Sequence, residues 1–211
     1  ELKYSIDIMG RHRRISKTAI ESFTGYRLYL TDEEWTSYVQ DGAENAHRIY
    51  AMARVVEQSL ADLAAAETRI LTSIEHLKPW EAVRIPVELA APGKYIGLAL
   101  GTAEPRSYEE ALADAAEAVE GLSWEVIAAE KDRVRLLVAY PMSAADDAVR
   151  ALTQAGFAKV SFEQYSGVPS DIIAQLERDL QSIQAQRAQV DRDIDILVEE
   201  RPRAFALYDF F

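Results

Sequence analysis

The stretch IYAMARVVEQSLADLAAAETRILTSIEHL, residues 49–77, decides the fold. Its apolar residues Ile49, Ala53, Val56, Leu60, Leu63, Ile70, Ile74 and Leu77 advance in alternating steps of four and three, with Glu67 in the one skipped place. That is the a/d seam of a heptad repeat, so the stretch is read as one long helix that buries a narrow stripe against a partner helix. The partner is IAQLERDLQSIQAQRAQVDRDIDILVEER, residues 173–201, whose seam is Ile173, Leu176, Leu180, Ile183, Val190, Ile194 and Leu197, with Arg187 in its skipped place. Each stretch has 29 residues, about 43 Å of helix at 1.5 Å per residue. Equal lengths suggest a pair. If the helices run antiparallel with Leu77 beside Ile173, facing positions total 250, and every seam position, the skipped places and Arg201 included, meets a seam position. Glu67 and Arg187 then fall one step apart on opposite helices, either as a buried polar layer that fixes register or as two long side chains reaching out of the seam.

Working outward, the chain between the helices has local signals of a different period. Lys94–Gly101 reads as a strand, Ser107-Tyr-Glu-Glu110 as a capping box opening a helix that stops at Gly121, and Ser123–Ala129 and Arg133–Tyr140 as two strands across the turn 130–132. Ser143 is expected to cap a second helix that stops at Gly156, and Phe157–Glu163 to alternate as a last strand. The order βαββαβ is that of a ferredoxin-like sandwich. The fold class expected is therefore α+β: a long antiparallel two-helix coiled coil with an inserted ferredoxin-like lobe. A lobe of about 70 residues buries only a modest core, so one sheet face is expected to need cover from the coil ends or a partner. Tyr95 and Leu137 are the candidate contacts.

The expected divisions are 1–30, a loop or small lobe fragment; 31–78, the first coil helix; 79–168, the lobe with its linkers; 169–201, the second coil helix; and 202–211, an exit segment. Leu2, Tyr4, Ile6 and Ile8 alternate as a strand would, while Leu2, Ile6 and Met9 suit a short helix, and the pattern alone leaves both open. Thr31-Asp-Glu-Glu34 is a capping box, so a helix starts there and either stops or runs on into the first coil helix.

Composition narrows the function. The 211 residues carry 23 Lys plus Arg against 35 Asp plus Glu, a net charge of −12, which disfavours a phosphate-backbone partner. Only the run 11–17 (RHRRISK) is locally basic, read as a solvated loop or as a contact for acidic lipid or protein. With no cysteine, disulfides, thiol nucleophiles and Cys-based zinc sites are absent. No phosphate-cradling glycine motif occurs, and His12, His47 and His76 lack metal-ligand spacing, so neither cofactor nor metal is expected. Asp191, Asp193 and Asp195 alternate around a helix and read as a solvated acidic face. No window reaches the roughly 18 apolar residues of a spanning helix, and no direct membrane span is expected.

Several strings, in order, resemble a known family. Leu77-Lys-Pro-Trp80, Arg84-Ile-Pro-Val-Glu-Leu89 and Lys94-Tyr-Ile-Gly-Leu-Ala-Leu-Gly-Thr102, then Asp132-Arg-Val-Arg-Leu-Leu-Val138, Gly156-Phe157, a coil opened by Pro169, and Ala206-Leu-Tyr-Asp-Phe210 are similar to the cytoplasmic N-terminal domain of the membrane subunit of V/A-type rotary ATPases, subunit a in eukaryotes and subunit I in prokaryotes. The resemblance covers roughly residues 30–211, and it lies in the ordered series rather than in any one string. It implies a non-catalytic stator element at the cytoplasmic face of a membrane, linking the peripheral-stalk E and G subunits to a rotor and a proton or sodium channel carried by a C-terminal half missing from this sequence. Residues 1–30 would then be what is present of a proximal lobe. Two other classes stay open on the residues alone: a ferredoxin-like small-ligand sensor and a coiled-coil adaptor unrelated to rotary ATPases, including an arm that grips tRNA, which the acidic flanks oppose. No nucleophile and base pair with defensible spacing can be named, so an enzyme ranks last.

Overall fold

The computed structural model describes residues 1–12 and 30–211. The basic positions 13–17 and the rest of 13–29 lie outside the described residues. The chain forms two compact units, one of residues 1–69 and 180–211, the other of residues 70–179.

The first unit is helical. Its helices are α1 Leu2–His12, α2 Asp32–Val39 and α7 Arg201–Phe210, with α3 Gly42–Leu77 up to residue 69 and α6 Pro169–Glu199 from residue 180. The ambiguous N-terminal alternation is a helix, because that winding puts Ile8 and Met9 together on its inner side, where both are fully buried. Thr31 caps α2 as its sequence predicts: the Glu34 N–H donates to Thr31 Oγ1 at 3.2 Å and the Thr31 N–H to Glu34 Oε2 at 2.8 Å. That helix does not run on into α3. Asp41, at φ 53°, takes the left-handed conformation that short polar side chains tolerate and turns the chain between them. At the other end, residues 202–211 are helix α7 rather than a plain exit segment, with Pro202 in its first turn, where no N–H is needed. Ile8 and Met9 of α1, Ile49, Ala53 and Val56 of α3, Ile194 and Leu197 of α6, and Ala204 and Leu207 of α7 share one buried cluster.

Cross-helix pairs fix the α3/α6 register in this unit. The Arg48 guanidinium meets the Glu200 carboxylate at 2.9 Å, and Arg187 meets Glu67 at 3.3 Å. These antiparallel partners total 248 and 254, on either side of the expected 250.

The second unit contains the sheet. Strands β1 Ile96–Ala103, β2 Ser123–Ala129, β3 Val134–Pro141 and β4 Ala158–Lys159, with helices α4 Tyr108–Ala118 and α5 Ala145–Gln154, follow the order βαββαβ. The sheet order is β2-β3-β1-β4 with every pairing antiparallel, the ferredoxin-like arrangement. Alternation along β3 buries Val134, Leu136, Val138 and Tyr140 with Leu112 of α4 and Ala148 and Leu152 of α5.

Three local expectations need correction. Ser107 precedes α4 but makes no side-chain capping bond, its φ of −129° and ψ of −5° lying off the extended backbone that a capping box uses. Ser143 is not a cap either, since a 3-10 turn over Met142–Ala144 places Ala144 ahead of α5. The last strand is two residues long instead of spanning Phe157–Glu163, because Phe157 and Phe162 turn into separate clusters on either side of it.

Candidate docking surfaces

The fifteen seam residues lie along α3 and α6. Ile49, Ala53, Val56, Leu77, Ile173, Ile183, Val190, Ile194 and Leu197 are buried, while Leu60, Leu63, Ile70, Ile74, Leu176 and Leu180 are half-buried, as an open two-helix seam allows. Glu67 and Arg187 form an ion pair at the flank with side chains 32% and 55% exposed, so they do not make a dry polar layer. An exposed pair of this kind contributes about 0–1 kcal/mol.

On the lobe, the second sheet face is covered from within its own unit. Leu100 packs with Trp80, Val83, Val87 and Phe162 and with Leu77 and Ile173 at the ends of the two long helices, and Leu137 sits half-buried against that cluster. Residues 79–93 therefore act as core more than as linker, with 3-10 turns at Lys78–Trp80 and Val87–Leu89. Tyr95 is the opposite case: it is 73% exposed beside Ile96 at 58%, with the Lys94 ammonium 5.1 Å from its ring centre. The two candidate contacts are thus in different environments, one largely enclosed and one presented to solvent.

Two features went unread in the sequence. Glu88 clasps the chain returning from the lobe: its carboxylate accepts from the Gly167 N–H at 2.8 Å and from Ser166 Oγ at 2.9 Å, and the Val87 N–H donates to the Gly167 carbonyl at 2.9 Å. The Gly167 amide, followed by the backbone amide of Glu88 itself, holds this carboxyl below the usual carboxylate range. No periodic signal marks it, since the partners are 79 residues apart. The second feature is a groove of about 380 Å³ in the helical unit, lined by Arg48, Ala51, Met52, Val55, Val56, Asp193 and Ile196. Val55 and Ile196 stand next to seam positions and are 65% and 52% exposed. A search for a second apolar stripe beside the first would have found them.

Among the described residues no group of three or more His, Asp or Glu is placed to hold a metal ion, and no helix is long and apolar enough to cross a membrane. No protein-family model matches this sequence, and no curated protein matches it. Among solved structures, the chain is similar to the cytoplasmic N-terminal domain of subunit I, homolog of subunit a, of V-ATPase, with a TM-score of 0.53 over 98% of this chain at 15% identity. The chain has that domain's fold. It spans 64% of the length of the subunit I domain. The α+β class with long helices and a small four-stranded antiparallel sheet is common to both.

Proposed function

We propose that this chain is a non-catalytic stator element of a V/A-type proton- or sodium-translocating rotary ATPase, acting at the cytoplasmic face of a membrane. The observation that carries the reading is the subunit I fold over 98% of the chain. Torque on a stator demands a stiff lever and an attachment head. Helix α3, with 36 residues, supplies about 54 Å of lever, and the compact lobe of residues 94–165 supplies the head. In this reading α3 and α6 form the strut, 79–168 the docking lobe, and the ion channel and rotor contacts belong to a part of the subunit beyond this sequence.

The partners proposed for the lobe are the peripheral-stalk E and G subunits. Tyr95 and Ile96 are the contacts favoured, since both are large, apolar and more than half exposed, and exposed apolar side chains grouped on a surface mark interaction sites. Binding by the isolated lobe is expected to be weak, because several contacts act together in the assembled machine and raise effective concentration. The test titrates purified stalk heterodimer into the full chain while amide shifts are followed. Shifts concentrated in 94–165, and lost in Tyr95→Ala, support the docking head. Shifts confined to other residues, or none at concentrations on the order of a millimolar, overturn it.

A further inference from the structure

Among the described residues, the groove in the helical unit is open on one side. A two-helix coil has two flanks. On one, α1 lies against α3: Tyr4 stacks edge-on with Tyr50 at 5.5 Å and donates to Glu57, and Arg11 reaches Glu57 at 3.5 Å. On the other, among the described residues, nothing plays the part of α1. There Met52, Val55 and Ile196 form an apolar floor between Arg48 at one end and Asp193 at the other. Residues 48 to 56 of α3 make the floor about 12 Å long at 1.5 Å per residue.

The two ends differ in charge. At the first, the Arg48 guanidinium lines the groove and shares the Glu200 carboxylate with Arg203, at 2.9 and 2.8 Å. At the second, Asp193 accepts from the Gln189 side-chain amide at 3.1 Å, a neutral donor that leaves its charge in place. A groove with a guanidinium at one end and a carboxylate at the other is complementary to itself when turned end for end.

We propose that this groove is a self-association surface, and that its occupant is the same groove of a second copy of the chain. The two-fold axis runs across the coil, in the plane of contact. It sets Val55 and Ile196 of the two copies together and brings Arg48 of each toward Asp193 of the other, twice over, as an isologous interface requires. Four helices then enclose an apolar layer that two leave open to water. A floor about 12 Å long covers far less than the roughly 800 Å² per partner of a stable complex, so the dimer is a reversible one with a dissociation constant on the order of 100 µM. This inference does not depend on the stator reading.

Sedimentation of the full chain across a concentration series tests it. Wild type shifts from monomer to dimer, and Val55→Asp and Ile196→Asp stay monomeric; both sites are more than half exposed, so helix content measured by circular dichroism is unchanged. The deciding arm uses Arg48→Glu and Asp193→Lys. Each variant alone sets like charges against each other at both ends and stays monomeric. Mixed in equal amounts, the two variants form a heterodimer with opposite charges at both ends. At one end the carboxylate introduced at position 48 of one copy faces the ammonium introduced at position 193 of the other; at the second end the unaltered Arg48 and Asp193 face each other. The dimer then returns at the wild-type concentration. A wild type that remains monomeric throughout overturns the proposal, as does a dimer indifferent to Val55→Asp, or a mixture no more associated than its components.

Discussion

Gly101 has no room for a methyl group. A Cβ there would stand 2.3 Å from Cζ of Phe157 and 2.6 Å from the carbonyl oxygen of Ala158, and the second neighbour is backbone pinned by the β1/β4 pairing. Gly101→Ala is therefore expected to cost about 1–3 kcal/mol, read as a lowered urea midpoint. Gly10→Ala, with nothing within 4 Å of its would-be Cβ in helix α1, is expected to lose nothing. Glu88 makes a prediction of a different kind. Its carboxyl is held below the usual range by the Gly167 amide in the folded chain, so the clasp stabilises the fold above the unfolded value of about 4.3 and is lost as pH falls through the lower folded value. The stability gap between wild type and Glu88→Gln should be full at neutral pH and close as pH drops below about 4. A gap that stays constant down to about pH 2.5, well under the carboxylate range, would remove the clasp from the stability of the lobe.

At the scale of elements, burial is graded along the coil seam of the helical unit. Leu197 is 1% exposed within the cluster that α1 and α7 complete, whereas Leu60 and Leu63 pack against that cluster only half-buried, at its edge. Leu197→Ala should cost about 3 kcal/mol and Leu60→Ala about 1–2 kcal/mol, while the exposed Asp195→Ala stays within about 0.5 kcal/mol; equal losses in thermal unfolding at 197 and 60 would mean that α1 and α7 add no enclosure. The same gradient explains what was legible in the sequence. A heptad stripe repeats, so the two long helices could be read from period and their pairing from their equal length, while the βαββαβ order came from alternation together with turn and stop signals. Caps are single events: Thr31 formed its box, whereas Ser107 and Ser143 carried the same kind of side chain without the backbone geometry. The last strand failed because alternation in Phe157–Glu163 comes from two aromatic side chains entering different clusters rather than from one pleated surface. At the docking surfaces, Tyr95 and Leu137 were read together as lacking cover on one sheet face; Tyr95 is exposed, but the enclosure of Leu137 required Trp80, Val83 and Phe162, which are remote in sequence and meet only through the fold.

Across the whole molecule, net charge sets a balance that no single pair controls. The chain carries −12, and ion pairs such as Arg11–Glu57, at 61% and 41% exposure, and Arg150–Asp147, at 72% and 63%, are open to solvent. Helix α4 alone holds Glu109, Glu110, Asp114 and Glu117 with no basic residue. Exposed pairs contribute little each, while the excess of like charge opposes the compact state throughout. Salt screens both, and with 35 acids against 23 bases the repulsion it removes exceeds the attraction it weakens. Raising ionic strength from about 0.01 to 0.3 M shortens the screening length from roughly 30 to 6 Å, and the melting temperature is expected to rise by about 2–4 °C, the equivalent of about 1 kcal/mol in a chain of this size. Association through the groove also sets two copies of −12 against each other, so the Arg48–Asp193 attraction is read instead from the excess of wild-type association over that of Arg48→Glu, which should shrink as salt screens it. Calorimetry and sedimentation on one salt series therefore separate the two. Stability that falls with salt would show that the surface pairs outweigh the repulsion, and a wild-type advantage over Arg48→Glu in association that does not shrink with salt would show that charge does not hold the copies in register.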